Sequence, residues 1–125
     1  MKILVVDDSR IMRTIVKNSL LKNYKHNFIF KEAENGVDAF NILERELIDL
    51  VLLDWNMPHL NGLNLTKEIS SLPKYKKLPI IMITSEAAIY NVIEAVKAGV
   101  NDYMIKPIKD KVLVEKIEQV LSRKK

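Results

Sequence analysis

The chain has 125 residues, 48% of them hydrophobic and 29% charged, which suits one ordinary domain with a real core. It contains no cysteine, which excludes disulfides, thiolate metal sites and cysteine catalysis. No apolar run is long enough to cross a bilayer, and the first residues reach acid at Asp7 and Asp8 too soon for a secretory leader. A soluble cytoplasmic protein is therefore expected. The formal net charge is +4 and the pI is near 9.2. The lysines and arginines are spread along the chain, with no nucleic-acid motif and no aromatic stacking platform among them. They are expected to be solvated surface or to meet an acidic partner, not nucleic acid.

Apolar runs and amphipathic stretches alternate five times. Ile3-Leu4-Val5-Val6 reads as a buried strand. Asp8 or Ser9 can then cap a helix, since a short polar side chain accepts from the free N–H groups of a first turn. Ile11, Ile15 and Leu20, with Met12 and Val16, recur at helical spacing. Phe28-Ile29-Phe30 is a short second strand, and a helix after Asn35-Gly36 carries Val37, Phe40, Leu43 and Leu47. Leu50-Val51-Leu52-Leu53 is a third strand, apolar on both faces. The loop from Asp54 to Gly62 contains Pro58 and leads to a helix with Leu65, Ile69 and Leu72. Pro73 and Pro79 bracket a lysine-rich connection. Ile80-Ile81-Met82-Ile83 is the fourth strand and runs into Thr84-Ser85. A fourth helix carries Ile89, Val92, Ile93 and Val96 and stops at Gly99. Tyr103-Met104-Ile105 is the fifth strand, and the last helix holds Val112, Leu113, Ile117, Val120 and Leu121.

Continuous apolar strands alternating with amphipathic helices predict an α/β fold, a doubly wound parallel sheet covered on both faces. Right-handed crossovers place the carboxyl ends of the strands on one edge, where such sheets bind ligands. That edge collects Asp7, Asp8, Asp54, Thr84 and Lys106. Two anions about 4 Å apart repel by roughly 4 kcal/mol at an effective dielectric near 20. Three clustered acids therefore call for a cation or for raised pKa values. Mg²⁺ suits them, because it takes oxygen ligands and pairs carboxylates with phosphate oxygens. Asp7 or Asp8 can alternatively serve as a helix cap, Lys106 as a surface lysine and Thr84 as a loop hydroxyl. The spacing of the set along one edge favours the functional reading.

These residues resemble the response-regulator receiver domains. The matching features are Asp7-Asp8, Asp54 followed by Met57-Pro58 and Gly62, Thr84-Ser85, and Lys106-Pro107, in the family's order along nearly the whole chain. Asp7-Asp8-Ser9-Arg10, Asp54-Trp55-Asn56-Met57-Pro58, Thr84-Ser85-Glu86-Ala87 and Tyr103 are similar in detail to the single-domain chemotaxis members. The resemblance implies a flavodoxin-like five-stranded sheet of order 2-1-3-4-5 with five helices, and residues 1–125 as a single receiver domain. It implies that Asp54 is the phosphoacceptor, fed by a phosphohistidine on a partner kinase. Asp8 and Asp54 would bind Mg²⁺ with the backbone carbonyl of Asn56, Asp7 acting through water or as a weaker ligand. Thr84 and Lys106 would hold phosphoryl oxygens, and Tyr103 would turn inward as Thr84 moves. Asn56 and Glu86 would influence how fast the acyl phosphate is lost. The face of the fourth helix, fifth strand and fifth helix, with Ala87, Val92, Tyr103, Ile105 and Lys116, would meet the output partner.

The implied function is a phosphorylation-activated regulator that signals by protein contact, in chemotaxis, as a monomer. Its partners would be a histidine kinase, a flagellar motor switch protein or other effector, and a phosphatase. It would catalyse only its own phosphorylation and dephosphorylation. A phosphorelay intermediate or a phosphate sink in another two-component pathway is the alternative. A phosphatase of the haloacid-dehalogenase type wants a second acid two residues after the nucleophile, where this chain has Asn56. A flavodoxin-like electron carrier needs a Ser/Thr/Gly-rich phosphate loop after the first strand, where Asp7 and Asp8 would repel a phosphate.

Overall fold

A computed structural model describes residues 1–23, 28–55, 61–85 and 89–123, with the backbone alone at 89–91 and 123. The elements run β1 (Lys2–Val6), α1 (Arg10–Asn23), β2 (Ile29–Ala33), α2 (Gly36–Arg45), β3 (Leu50–Asp54), α3 (Gly62–Ser70), a 3₁₀ turn (Pro73–Tyr75), β4 (Ile80–Thr84), α4 (Ile89–Ala98), β5 (Asp102–Ile105) and α5 (Asp110–Arg123). The five strands are parallel and ordered β2-β1-β3-β4-β5. This is the doubly wound, flavodoxin-like architecture expected. Among the described residues, no helix is long and apolar enough to cross a membrane.

Strand side chains alternate in direction, so the sheet divides its apolar residues between two cores. Leu4, Val6, Val51, Leu53, Ile80 and Met82 pack toward Ala39 and Leu43 of α2, Leu65 and Ile69 of α3, and Ala95 of α4. Ile3, Val5, Leu50, Leu52, Ile81, Ile83 and Met104 pack toward Val16 and Leu20 of α1 and Leu113, Ile117 and Val120 of α5. Every residue of β3 and β4 is buried, which is why those strands lack a polar alternation.

The observed fold corrects several local expectations. β2 begins at Ile29 rather than Phe28 and extends to Ala33 through Lys31 and Glu32. As an edge strand it can carry charge, and such charges keep an open edge from pairing with other chains. In α1 the inward face is Val16, Ser19 and Leu20, while Ile11 is 74% exposed. α2 ends at Arg45, with Glu46 closing it through an N–H bond to the Ile42 carbonyl, so Leu47 lies beyond the helix and is exposed. In α4 the bulky Ile93 and Val96 are exposed, and the small Ala95 and Ala98 point inward. The reason is a close approach to α3. A Cβ on Gly99 would strike Ser70 of that helix, and Gly99 itself has a φ of 119°. Only glycine meets both conditions without strain.

Candidate functional site

The parallel register builds the site. β1 and β3 pair with Val6 beside Leu53, so the residues after them, Asp7 and Asp54, come together as the strands end. Asp54 lies opposite Ile83 on β4, and Thr84 lies opposite Ile105 on β5, which brings Lys106 next to Thr84. The Lys106 N–H donates to the Thr84 carbonyl at 2.8 Å. The Lys106–Pro107 bond is cis.

Four strand ends therefore converge. Lys106 Nζ lies 3.2 Å from Asp7 Oδ2 and 3.4 Å from Asp54 Oδ1. Asp7, Asp8 and Asp54 each offer a carboxylate oxygen within 4.8 Å of the others. Asp7, Asp54 and Thr84 are buried, at 6%, 7% and 4% exposure, whereas Asp8 faces solvent. A buried carboxylate with other acids beside it resists ionisation. Burial, then the Asp7 charge, raise Asp54 to about 6; Lys106 opposes this and Asp8 adds to it. For Lys106, burial pulls its pKa down, but Asp54 and Asp7 outweigh burial and hold the ammonium above its ordinary value. With all groups ionised, three carboxylates and one ammonium leave a charge of −2. One divalent cation cancels it. The donors are hard oxygens in a group open to solvent on the Asp8 side, which fits Mg²⁺ better than a softer metal.

Local sequence explains how each acid is aimed. Ser9 Oγ accepts from the Met12 N–H at 3.3 Å, so Ser9 caps α1. This frees both preceding acids from capping. Asp7 Oδ1 accepts the Ser9 N–H at 2.9 Å, which leaves its other oxygen toward Lys106. Gly62 starts α3 and its N–H donates to the Trp55 carbonyl at 3.0 Å. A Cβ there would collide with the Asp54 carbonyl and come within 2.8 Å of Leu53 Cδ1. The sequence marked Gly62 as the end of the loop and as part of the family resemblance; its close approach to the Asp54 backbone needed the fold.

The other predicted residues are placed as follows. Tyr103 is half-buried against the α2–α3–α4 core, with Lys116 Nζ 5.4 Å from its ring centroid. Lys116 also pairs with Asp102 at 3.0 Å. Val92 is half-buried and Ile105 is 41% exposed. A groove of about 410 Å³ runs along β5 and α5, lined by Tyr103, Ile105, Pro107, Lys109, Val112 and Lys116. Asn56, Glu86 and Ala87 lie outside the described residues. Sequence reasoning passed over Arg13, whose guanidinium donates to the Asp7 carbonyl at 2.6 Å.

A family model of the response regulator receiver domain matches residues 3–118. The "Chemotaxis protein CheY homolog" of Campylobacter jejuni is 48% identical over 122 residues, covering 97% of this chain and 92% of that protein. "Chemotaxis protein CheY1" of Helicobacter pylori is 49% identical over 122 residues, covering 97% of each. Among solved structures, Vibrio cholerae CheY4, a chemotaxis response regulator, superposes with a TM-score of 0.85 at 27% identity, over 95% of this chain and 97% of that one. The receiver domain of a Pseudomonas aeruginosa sensor histidine kinase, described with a magnesium ion coordinated in its active-site cleft, has a TM-score of 0.85 at 27% identity over 97% of each chain.

Proposed function

The chain belongs to the response regulator receiver family, and from that premise we propose that it is a phosphorylation-activated response regulator of a two-component system, one that controls chemotaxis. Asp54 is the phosphoacceptor. Its carboxylate attacks the phosphorus of a phosphohistidine on a chemotaxis-type kinase. The P–O bond forms as the P–N bond breaks, and the imidazole nitrogen keeps the bonding pair. Asp8 and Asp54, with the backbone carbonyl of Asn56, would hold Mg²⁺, and Asp7 would act through water or as a weaker ligand; when bound, the ion would supply positive charge to the site.

The remaining roles belong to side chains. Lys106 answers two carboxylates with one ammonium, and a phosphoryl oxygen on Asp54 becomes its natural third partner. Thr84 holds another phosphoryl oxygen. With a pKa near 6, Asp54 is mostly ionised at neutral pH and so ready as a nucleophile. The phosphoryl group adds roughly −1.5 to −2 charge. Thr84 and Tyr103 convey that change to the face of Val92, Tyr103, Ile105 and Lys116. Lys109 and Lys116 along the groove there suit an acidic segment of an effector such as a flagellar motor switch protein. Asn56 and Glu86 tune hydrolysis of the acyl phosphate. The protein is a signalling regulator, and the only reactions it promotes are gain and loss of its own phosphoryl group. It works as a monomeric, cytoplasmic single domain.

The observation that carries this reading is the shared ammonium of Lys106 between two buried acids on neighbouring strands. Labelling with radioactive acetyl phosphate tests it. Wild type should incorporate label with Mg²⁺ and not with EDTA, and Asp54→Asn should incorporate none. Undiminished labelling of Asp54→Asn moves the acceptor elsewhere. For the output, protein activated with beryllofluoride and Mg²⁺ should bind a flagellar switch peptide more tightly than untreated protein. Transfer of label to a histidine phosphotransfer domain instead of such binding would make the chain a relay intermediate.

A further inference from the structure

The turn between β1 and α1 is held from outside the acid cluster. Arg13, one turn into α1, reaches back so that Nη1 donates to the Asp7 carbonyl at 2.6 Å. Its Nε donates to Glu32 Oε1 on β2 at 2.9 Å. The other oxygen of Glu32 takes Lys17 Nζ at 2.8 Å. The Arg13 side chain is only 13% exposed, against 35% for Glu32. The Asp7 N–H donates to the Ala33 carbonyl at 3.1 Å. Both main-chain groups of Asp7 are thus occupied, one by the strand ladder and one by a guanidinium.

This arrangement has a geometric consequence. The carbonyl of Asp7 and the nitrogen of Asp8 belong to one rigid peptide plane. A donor fixed on that carbonyl restrains the plane, and with it the position of the Asp8 Cα from which its side chain departs. Asp8 is the exposed member of the acid group and sits in a turn rather than in a strand. Some other element must therefore hold it in place. Arg13 is preorganised for this, because a guanidinium can serve two acceptors in a fixed fork. Glu32 supplies the second acceptor and so aims the first bond.

We propose that Arg13 is a positioning residue for the divalent-cation site. It pins the Asp7–Asp8 peptide so that the Asp8 carboxylate stays with Asp7 and Asp54, and Glu32 acts as the orienter of Arg13. The proposal deepens the reading of the acid cluster as a Mg²⁺ site and rests on it. Electrostatics alone predicts the opposite sign for its removal. A cation beside an acidic site weakens metal binding, so deleting its charge would tighten it. Lys17 provides the matched control, since it carries the same charge on the same Glu32 and, among the described residues, pairs with none of Asp7, Asp8 and Asp54.

The experiment measures Mg²⁺ affinity by calorimetry and amide exchange of Asp8 and Ser9 in the metal-free protein, with thermal melts to confirm folding. Arg13→Met should lose roughly tenfold in affinity, as outer partners of metal sites commonly do, and its Asp8 amide should exchange faster. Arg13→Lys should lose less, because an ammonium still reaches one acceptor. Glu32→Gln should fall between wild type and Arg13→Met. Lys17→Met should keep or slightly raise the affinity. If Arg13→Met does not fold, Glu32→Gln and Arg13→Lys carry the test. Affinity in the Arg13 variants equal to or above wild type, with unchanged exchange, overturns the pin while leaving the metal site standing. Wild type that binds no Mg²⁺ at millimolar concentration contradicts the metal site itself, and with it this role for Arg13.

Discussion

The two ends of the sheet treat charge in opposite ways. At the amino end of the strands, Asp49 accepts the Lys2 backbone N–H at 2.7 Å, and Glu46 meets both Lys2 and Lys31 at 3.3 Å. Asn101 Oδ1 accepts the Ile80 N–H at 2.8 Å. Desolvation pushes Glu46 up, but the hydrogen bonds and charges of Lys31 and Lys2 together overcome it and hold the carboxyl below its ordinary value. At the carboxyl end one ammonium faces three acids, and Asp54 is raised to about 6. The same strands thus end in neutralised charge on one side and in an uncompensated deficit of positive charge on the other. The deficit is a cost to the metal-free fold, and a divalent cation is the charge that would cancel it.

Several substitutions sharpen that contrast. Removing Lys106, which pairs with two acids of the cluster, should hurt most. Lys106→Met should destabilise the metal-free protein by about 1.5–3 kcal/mol, the range for a hydrogen bond to a charged group. It should also abolish the rise in partner affinity on phosphorylation. Denaturant melts in EDTA and a switch-peptide titration measure the two effects; a normal affinity rise would remove Lys106 from the transmission path. Gly62→Ala puts a methyl group against the Asp54 carbonyl and Leu53. A destabilisation of about 1–3 kcal/mol is expected from such overpacking, with slower labelling by acetyl phosphate. Wild-type stability and rate in this variant would mean that α3 can shift without disturbing Asp54.

Acidity is the next lever. Below a pH of about 6 protons compete with the ion for Asp54, so Mg²⁺ affinity should fall by up to about tenfold per pH unit there. Calorimetry between pH 7 and 5 reads it, and a flat profile would argue against Asp54 as a ligand. The smallest effect belongs to the opposite end. Lys2→Met removes a half-exposed ion pair and should cost below about 1 kcal/mol, with no change in metal affinity. A change there would blur the distinction between the two ends.

Much of this was legible in the sequence because strand ends are. Asp7, Asp54, Thr84 and Lys106 each interrupt or follow an apolar run, and parallel winding brings such positions to one edge. The five strands and five helices followed from alternation of apolar and amphipathic stretches. What stayed hidden depends on distances between elements. The inward face of α4 is small rather than bulky because Gly99 lies against Ser70 of α3. Periodicity favoured Ile93 and Val96, which are exposed. Charged Lys31 and Glu32 disguised the length of β2. Arg13 drew no reading from the sequence, since nothing in its spacing reveals a bond to a backbone carbonyl.

The central claim is that the acid cluster is unfavourable until a cation neutralises it, and one stability measurement addresses it. A carboxyl raised from 3.8 to about 6 binds more protons in the folded than in the unfolded chain between those values, so folding stability falls as pH rises through that window. At pH 7 the full cost, about 3 kcal/mol for a shift of roughly two units, is present. Asp54→Asn should therefore be more stable than wild type by about that amount in EDTA at pH 7. The gap should shrink at pH 4 and in millimolar Mg²⁺. An Asp54→Asn protein less stable than wild type in EDTA at pH 7 would contradict the account.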